Sequence, residues 1–374
     1  MRKENKMPIY PYEKSGKEHW YYAFEVKESN GKRKTIKKRG FKGKTEARKA
    51  EAEARVQWEK GSYIDPSKIT LGEYITIWLE NKRDISPETR STNEGHLRNH
   101  ILPIIGSIQL QKVNVSDLEK LIKSLYDKGL AEGTVRKIYN LAYTCFKVAT
   151  KKELINKNPF DLLEKGDKPK KHRAKFDYWS SEEVIHFFSV LEHRQRIMFV
   201  LAIRCGMRRS EICGLRWKDI DFVNKRLSII QTLRPKQGLK IGTKTDAGYR
   251  SIALSNTVLD ELQKHRKLIV EERLFCDEYH DNDLVVCQSN GLPVSLGNFD
   301  KFWKRILSNT GMRKIKFHEL RHTCASLLLS ASVHPKVVQE LLGHSSITMT
   351  IDTYSHLMPN MQSEAVNALD EMLK

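Results

Sequence analysis

The residues with the most chemistry lie toward the C-terminal end of the chain. There His318-Glu319-Leu320-Arg321, Leu342-Gly343-His344 and Tyr354 follow one another on short segments of helical pattern, with Arg208 and Lys244 upstream. Together they make a trap for a phosphate, aimed at a tyrosine. A phosphodiester offers two non-bridging oxygens, and each planar guanidinium fork can hydrogen-bond them bidentately. The tyrosine hydroxyl is then a nucleophile for the phosphorus.

A rival reading uses the same stretch. His318 and His322 flank Glu319 in the pattern H-E-x-x-H, in which two histidines one helical turn apart bind zinc and the glutamate serves as base. The extended form of that pattern wants glycine and histidine where this chain has Ala325 and Leu328. A third ligand from farther along, such as Glu340, stays open. The zinc protease reading leaves the basic charge, Arg208, Lys244, His344 and Tyr354 unused. In the phosphate reading His318 and Arg321 lie three apart on one helix face and point at one phosphate, and His322 has no part. Arg208 follows a Cys205-Gly206-Met207 break after an apolar helix, where a buried cation needs an anionic partner. Glu211 is placed to orient it. A surface ion pair is the ordinary alternative, since Arg209 and Arg216 lie nearby.

Composition narrows the partner. The 374 residues hold 66 Lys+Arg against 46 Asp+Glu, a formal charge of +20, and this length suits two or three domains. Counterion release from a duplex gives such a chain sequence-independent affinity. The clustering of the charge favours a polyanion over a surface kept basic for solubility. The cysteines at 145, 205, 213, 276, 287 and 324 form no C-x-x-C pair and no disulfide-like framework. Reduced thiols in a cytosolic protein are expected, without a zinc ribbon. The N-terminus lacks an apolar h-region, and no apolar run approaches a membrane span, so neither secretion nor membrane insertion is expected.

Several elements must position these groups. Residues 17–41 alternate like strands around a Ser29-Asn30-Gly31-Lys32 turn, which predicts a hairpin with room for a third short strand. Thr45 is expected to N-cap a helix ending at Gly61. From Lys32 to Lys49 ten residues are basic and one is acidic. Such a run is ordinarily a solvated face, but a small basic sheet with aromatics beside it is also how a strand reader grips a groove. Lys32, Arg33, Lys34, Lys37, Lys38 and Arg39 are therefore candidates for DNA contact. Residues 62–70 read as a linker. Four helical patterns follow: 71–83, one opening at Ser86-Pro87-Glu88, 116–127 and 134–153. In the third, Ser116 and Glu119 fit a capping box, and Leu118, Leu121, Ile122 and Leu125 form a stripe that is core.

The stretch from Glu164 to Lys175 is basic and contains Pro and Gly, which marks a domain boundary. A linker lying along the phosphate backbone, with Lys170, Lys171 and Arg173 as contacts, fits its charge better than a plain tether. Ser180 and Glu183 fit a capping box ahead of an apolar helix. RIMFVLAI leads to Arg208, and WKDIDFVNKRLSIIQTL reads as a turn and a strand. Lys244 lies on or beside a hairpin punctuated by Gly242, Asp246 and Gly248. Residues 283–287 suggest another short strand. The rest is helical, with no internal repeat.

Five short motifs in order carry a resemblance. GMRRSE at Gly206 to Glu211, TKT at Thr243 to Thr245, HELRHT at His318 to Thr323, LLGH at Leu341 to His344 and TYS at Thr353 to Ser355 resemble the tyrosine recombinases in order and approximate spacing. The likeness covers nearly the whole chain. Phage and conjugative-transposon integrases carry a small arm-binding domain and a helical core-binding domain ahead of the catalytic one. The resemblance implies an α+β multidomain fold: an arm-type DNA-binding sheet plus helix at 1–63, a helical core-site-binding domain at 70–163, a basic linker at 164–176, and a mostly α catalytic domain with a small antiparallel sheet at 177–374.

Carried over residue by residue, the resemblance implies that Arg208 and Arg321 hold the scissile phosphate and stabilise the pentacoordinate transition state. One such donor is typically worth a factor of about 100 to 1000. Lys244 looks like the general acid for the leaving 5′ oxygen. His318 assists proton transfer from the nucleophile, His344 hydrogen-bonds the phosphate, and Tyr354 becomes the 3′-phosphotyrosine. A phenol with a pKa near 10 needs help to deprotonate, but its phenolate leaves readily when a 5′-hydroxyl attacks. No metal ion or nucleotide cofactor enters this scheme. Each residue alone has an ordinary explanation in packing or solvation; the ordered set outweighs it. Cys205 departs from the threonine frequent at that place and is expected to pack. His356 has no role.

The implied activity is site-specific recombination that integrates and excises a mobile element. The partners implied are double-stranded core and arm attachment sites, a homotetramer on DNA, an excisionase and a host DNA-bending protein, in the cytoplasm of a bacterial host at its nucleoid, with no membrane. The tail carries Met361, Ala365, Val366, Leu369 and Leu373 at helical spacing, and the resemblance implies that it docks on a neighbouring subunit. A type IB topoisomerase, which relaxes supercoils without partner exchange, is the nearest alternative.

Overall fold

The computed structural model describes residues 9–27, 31–60, 63–170, 176–235, 237–242, 248–354 and 361–373. The chain divides into two compact units, Met1–Arg173 and Ala174–Lys374. In the first, antiparallel strands β1 (Ile9–Lys14), β2 (Lys17–Lys27) and β3 (Arg33–Phe41) pair in chain order. The third strand thus exists, and it precedes the expected hairpin. Alternation sends Tyr22, Phe24 and Ile36 to one face, where they pack with Ala47 and Ala54 of α1 (Lys44–Glu59). That helix is N-capped by Gly43 rather than Thr45, and no side chain caps it. Glu46 instead accepts the Lys42 amide at 3.1 Å, placing an acid at the positive end of the dipole. Gly61 lies outside the described residues.

The helical part begins at Thr70, inside the expected linker, where Thr70 and Glu73 close a capping box on α2 (Leu71–Glu80). Next, α3 (Pro87–His96) passes through a π-helical turn at Leu97–Ile101 into α4 (Leu102–Ile105). Pro103 lacks the amide that a regular helix would use there. The N-cap of α5 (Val115–Asp127) is Asn114, boxed with Asp117, not Ser116 with Glu119. Asn114 holds the extended backbone that a cap requires, at φ −121° and ψ 177°. The stripe Leu118, Leu121, Ile122 and Leu125 is buried against Ile138 and Phe146 of α6 (Glu132–Lys151).

The second unit opens on α7 (Ser181–Val190) with the expected box between Ser180 and Glu183. The apolar α8 (Arg196–Arg204) runs through the core to the short α9 (Arg209–Ile212). Five short strands follow: β4 (Ile220–Asp221), β5 (Arg226–Ser228), β6 (Gln231–Arg234), β7 (Gly238–Ile241) and β8 (Ser251–Ala253). They form an antiparallel sheet in the order β4-β5-β8 and a separate β6-β7 hairpin. The strand expected at 283–287 is not formed. Leu284 and Cys287 make single bridges, to Arg216 and Pro293, because no neighbouring strand runs alongside long enough to build a ladder. Helices α10 (Asn256–Phe275), α11 (Phe299–Asn309), α12 (Glu319–Ser330), α13 (Pro335–Leu342), α14 (Ile347–Tyr354) and α15 (Met361–Met372) complete the unit. On α15, Val366, Leu369 and Met372 are exposed. No described helix is long and apolar enough to cross a membrane.

Candidate active site

The C-terminal end of α13 organises the site. Its last carbonyls lack intrahelical donors and carry the negative end of the helix dipole. Three arginines from three segments supply donors: Arg250 Nε to Leu341 O at 2.7 Å, Arg321 Nη2 to Leu342 O, and Arg208 Nη2 to Gly343 O at 3.1 Å. Gly343 takes a φ of +63°, the left-handed cap that exposes these carbonyls. Arg321 Nη1 also donates to Gly206 O at 2.7 Å. Gly206 has a φ of +60°, and a Cβ there would meet Leu342 Cδ2 at 2.7 Å, so only glycine lets the break after α8 pack so closely on α13.

Glu211 ties two of the three together. The Arg208 amide and Nη1 donate to its carboxylate at 2.9 and 2.7 Å, and Arg250 Nη2 donates at 2.9 Å. Burial opposes its ionisation, yet the hydrogen bonds and charge of Arg250, with the Arg208 charge, hold its pKa below the ordinary carboxylate range. Arg250 is a residue the sequence reading missed. Its one signal was a lone cation two residues ahead of the apolar run Ile252-Ala253-Leu254. Arg321 is 3% exposed, and its described hydrogen bonds reach carbonyls and no carboxylate. Burial, then the neighbouring Arg208, pushes its pKa down to about 9. A cation so placed gains from an incoming anion.

His318 stands at the N-cap position of α12, makes no capping hydrogen bond with its side chain, and stays exposed to solvent. Crowding by protein atoms, then the charges of Arg321 and Arg208, lowers its pKa. His344 follows Gly343, and its Nδ1 lies 2.9 Å from Thr350 Oγ1. Burial, then Arg321 and Arg208, pushes it down to about 3. Tyr354 ends α14 and is 1% exposed; burial raises its pKa, against the charge of Arg321. Its hydroxyl lies 2.6 Å from His322 Nδ1. The sequence reading gave His322 no part, but the fold brings it to the tyrosine. Phe176 covers both, stacked on His322 at 4.4 Å and edge-on to Tyr354 at 5.1 Å.

These contacts overturn the zinc reading. Glu319, which would be its base, is buried and accepts the backbone amides of Lys316 at 2.6 Å and Asp177 at 3.4 Å. His322, which would be a ligand, faces Tyr354. Cys205 is 1% exposed, and burial pushes its thiol up to about 12, so it packs as expected. Beside the site a cleft of about 1220 Å³ is lined by Arg208, Arg209, His318, Lys304, Lys314 and Lys316. Lys244, Lys171, Arg173 and His356 lie outside the described residues, and Lys170 is exposed.

The basic candidates of the N-terminal sheet divide by strand alternation. Lys32 is exposed just ahead of β3. Arg33, Lys37 and Arg39 point to the face away from α1, opposite Lys27, Ala23 and Tyr21 in register. There Lys37 Nζ lies 4.6 Å over the Tyr21 ring, and the Arg39 guanidinium sits 5.4 Å from Tyr21 and 5.7 Å from Tyr12. Lys34 and Lys38 alternate to the other side, where Lys34 pairs with Asp65 at 2.5 Å and Lys38 lies 5.8 Å over Phe41.

Comparison with known proteins agrees along the chain. The Phage integrase family profile matches residues 180–361, an Arm DNA-binding domain profile matches 8–57, and a Phage integrase N-terminal SAM-like domain profile matches 70–126. A XerC-like tyrosine recombinase of Caldanaerobacter subterraneus subsp. tengcongensis is 30% identical over 397 aligned positions, covering 96% of this chain and 98% of that one. The ICEBs1 integrase of Bacillus subtilis is 25% identical over 88% of this chain and 90% of its own length. Among solved structures, the integrase of transposon Tn1549 in complex with a circular intermediate DNA superposes with a TM-score of 0.69 at 22% identity, over 80% of this chain and 99% of that one. A lambda integrase tetramer bound to a Holliday junction gives 0.55 at 17% identity, over 94% and 96%. The chain is a member of the tyrosine recombinase family of phage and transposon integrases, enzymes of site-specific DNA recombination.

Proposed function

We propose that the chain integrates and excises a mobile element through a 3′-phosphotyrosine at Tyr354. The observation that supports this best is the gathering of Arg208, Arg250 and Arg321 on the carbonyls of Leu341, Leu342 and Gly343, one residue before His344. Arg208, one-third exposed, and Arg321 hold the non-bridging oxygens of the scissile phosphate. The Tyr354 oxygen attacks phosphorus while its proton passes by way of His318. The bond to the 5′ oxygen breaks, and Lys244 protonates the leaving group. A 5′-hydroxyl from the partner strand then attacks the phosphotyrosine and restores the phenol. His344 hydrogen-bonds the phosphate throughout.

In this reading residues 1–63 bind arm-type DNA through the open face of β1 to β3, and residues 70–163 bind the core site. Residues 164–176, with Lys170, Lys171 and Arg173, run along the backbone between them, and residues 177–374 do the chemistry. Binding two classes of site through one chain raises occupancy by effective concentration. A homotetramer on the junction is the working assembly, as in the lambda integrase complex, with an excisionase and a host bending protein setting direction, at the bacterial nucleoid. The arm-type profile over residues 8–57 favours recombination over topoisomerase action.

The test uses a nicked duplex carrying the sequence shared by both element–host junctions. A covalent adduct that forms in EDTA and disappears in Tyr354→Phe is expected. An adduct still made by Tyr354→Phe, or one abolished by EDTA, would refute the reading. Relaxation of supercoils without exchange between two duplexes would favour the topoisomerase instead.

A further inference from the structure

We propose that His322 is a positioning residue that docks the nucleophile: in DNA-free protein it holds the Tyr354 hydroxyl in a sheltered pose, and attack begins with release of that hydrogen bond. The proposal rests on Tyr354 being the nucleophile. His322 Nδ1 lies 2.6 Å from the hydroxyl, within the usual distance of a hydrogen bond to a phenol. Phe176 seals the pair, its ring nearly parallel to the imidazole at 21° and steeply inclined to the phenol at 69°. Tyr354 belongs to a buried apolar cluster with Ala325, Leu329, Val338 and Leu342.

The exposures of the groups differ sharply. Arg208 keeps one-third of its side chain in solvent, and His318 is open, while Tyr354 presents 1% of its surface. Arg208 and His318 can therefore be reached by a duplex while the tyrosine cannot. His322 lies four residues beyond His318, on the helix that also carries Arg321. The helix that grips phosphate is thus also the one that holds the nucleophile. Nδ1 accepts the phenol proton when the imidazole hydrogen is on Nε2 and donates to the phenol oxygen in the other tautomer; both hold the ring.

The test uses the full chain. In DNA-free protein, the rate of Tyr354 nitration by tetranitromethane is read by peptide mass. On the nicked duplex described above, single-turnover adduct formation is read alongside duplex affinity. His322→Phe keeps an aromatic ring against Phe176 and removes the hydrogen bond; Phe176→Ala removes the seal. Both are expected to speed nitration, and adduct formation on bound duplex, by up to about tenfold, the scale of one buried hydrogen bond. Duplex affinity stays the same. His322→Asn, whose amide can stand at the place of Nδ1, is expected to restore near-native rates of both. Nitration in His322→Phe and Phe176→Ala at the native rate would overturn the dock, as would an adduct slowed in His322→Phe. A native protein that forms no Tyr354-dependent adduct would instead overturn the reading of Tyr354 as nucleophile, and the nitration comparison would still decide the dock.

Discussion

Arg250 and Glu211 form a buried ion pair, Nη2 to Oε2 at 2.9 Å, with 7% and 2% of their side chains exposed. Glu211 is shared with Arg208, and Arg250 also holds Leu341 O, so one guanidinium fixes both the carboxylate that aims Arg208 and the helix end that receives it. The orientation of Arg208, the proposed phosphate ligand, is thus set through Glu211 by Arg250.

Removing Arg250 leaves Glu211 buried with a single partner. Arg250→Gln is expected to cost about 3–5 kcal/mol of stability, the usual penalty for breaking a buried pair from one side. Adduct formation is expected to fall by up to about 100-fold through displacement of Arg208, with duplex affinity little changed. Thermal unfolding and single-turnover cleavage check the two parts. Native cleavage in a folded Arg250→Gln protein would show that Arg208 is aimed without it.

Arg321 donates from two separate nitrogens, to Gly206 O and Leu342 O. A lysine has no planar fork with which to reproduce that geometry while also reaching the proposed phosphate. Arg321→Lys is expected to keep the charge and lose about 100- to 1000-fold in cleavage rate, the scale of one lost transition-state donor. A loss under tenfold would mean that charge alone suffices there.

The features legible in the sequence were local ones. The Ser180 and Glu183 box and the stripe at Leu118, Leu121, Ile122 and Leu125 are set by neighbours within a turn or two, and both appear in the fold as expected. Arg250 and His322 were not legible because their partners, Glu211 and Tyr354, lie 39 and 32 residues away. The box at Asn114 and Asp117 was misplaced for another reason: Ser116 and Glu119 fit the same pattern, and the backbone at Asn114 decides between them. On the N-terminal sheet the basic run was plain, but its division between two faces needed the register with Tyr21 and Ala23.

His322 and His344 give the protein an acid-sensitive window. Burial, then His318 and Arg321, pushes His322 down to about 4, and burial, then Arg321 and Arg208, pushes His344 down to about 3. His322 also faces Tyr354 and Phe176, and His344 faces Thr350 and Arg250. An unfolded histidine titrates near 6.5. Below that pH the unfolded chain binds more protons than the folded one, so stability is full above about 6.5 and is lost as pH falls toward the folded values. The thermal midpoint is expected to drop between pH 7 and pH 5. It should drop less in the double variant His322→Asn, His344→Asn. An identical slope in both proteins would show that other groups carry the acid sensitivity.

The two faces of the N-terminal sheet should differ in their dependence on salt. Each phosphate contact contributes about 0.9 to the slope of log affinity against log salt. Lys37 and Arg39 share the open face with Tyr21 and Tyr12, whereas Lys34 points to the opposite side and pairs with Asp65. If the open face meets the duplex, Lys37→Gln with Arg39→Gln lowers the slope by about 2, and Lys34→Gln with Lys38→Gln, which removes the same charge from the other side, lowers it by less than about 1. Fluorescence anisotropy on a labelled duplex across a series of salt concentrations measures both. Equal losses from the two faces would point to diffuse attraction by the basic run, while a larger loss from Lys34→Gln with Lys38→Gln would place the duplex on the helix-covered side. Because all of these positions lie between residues 34 and 39, total charge and position along the chain are nearly constant in the comparison. What varies is the side of the sheet to which strand alternation sends each one.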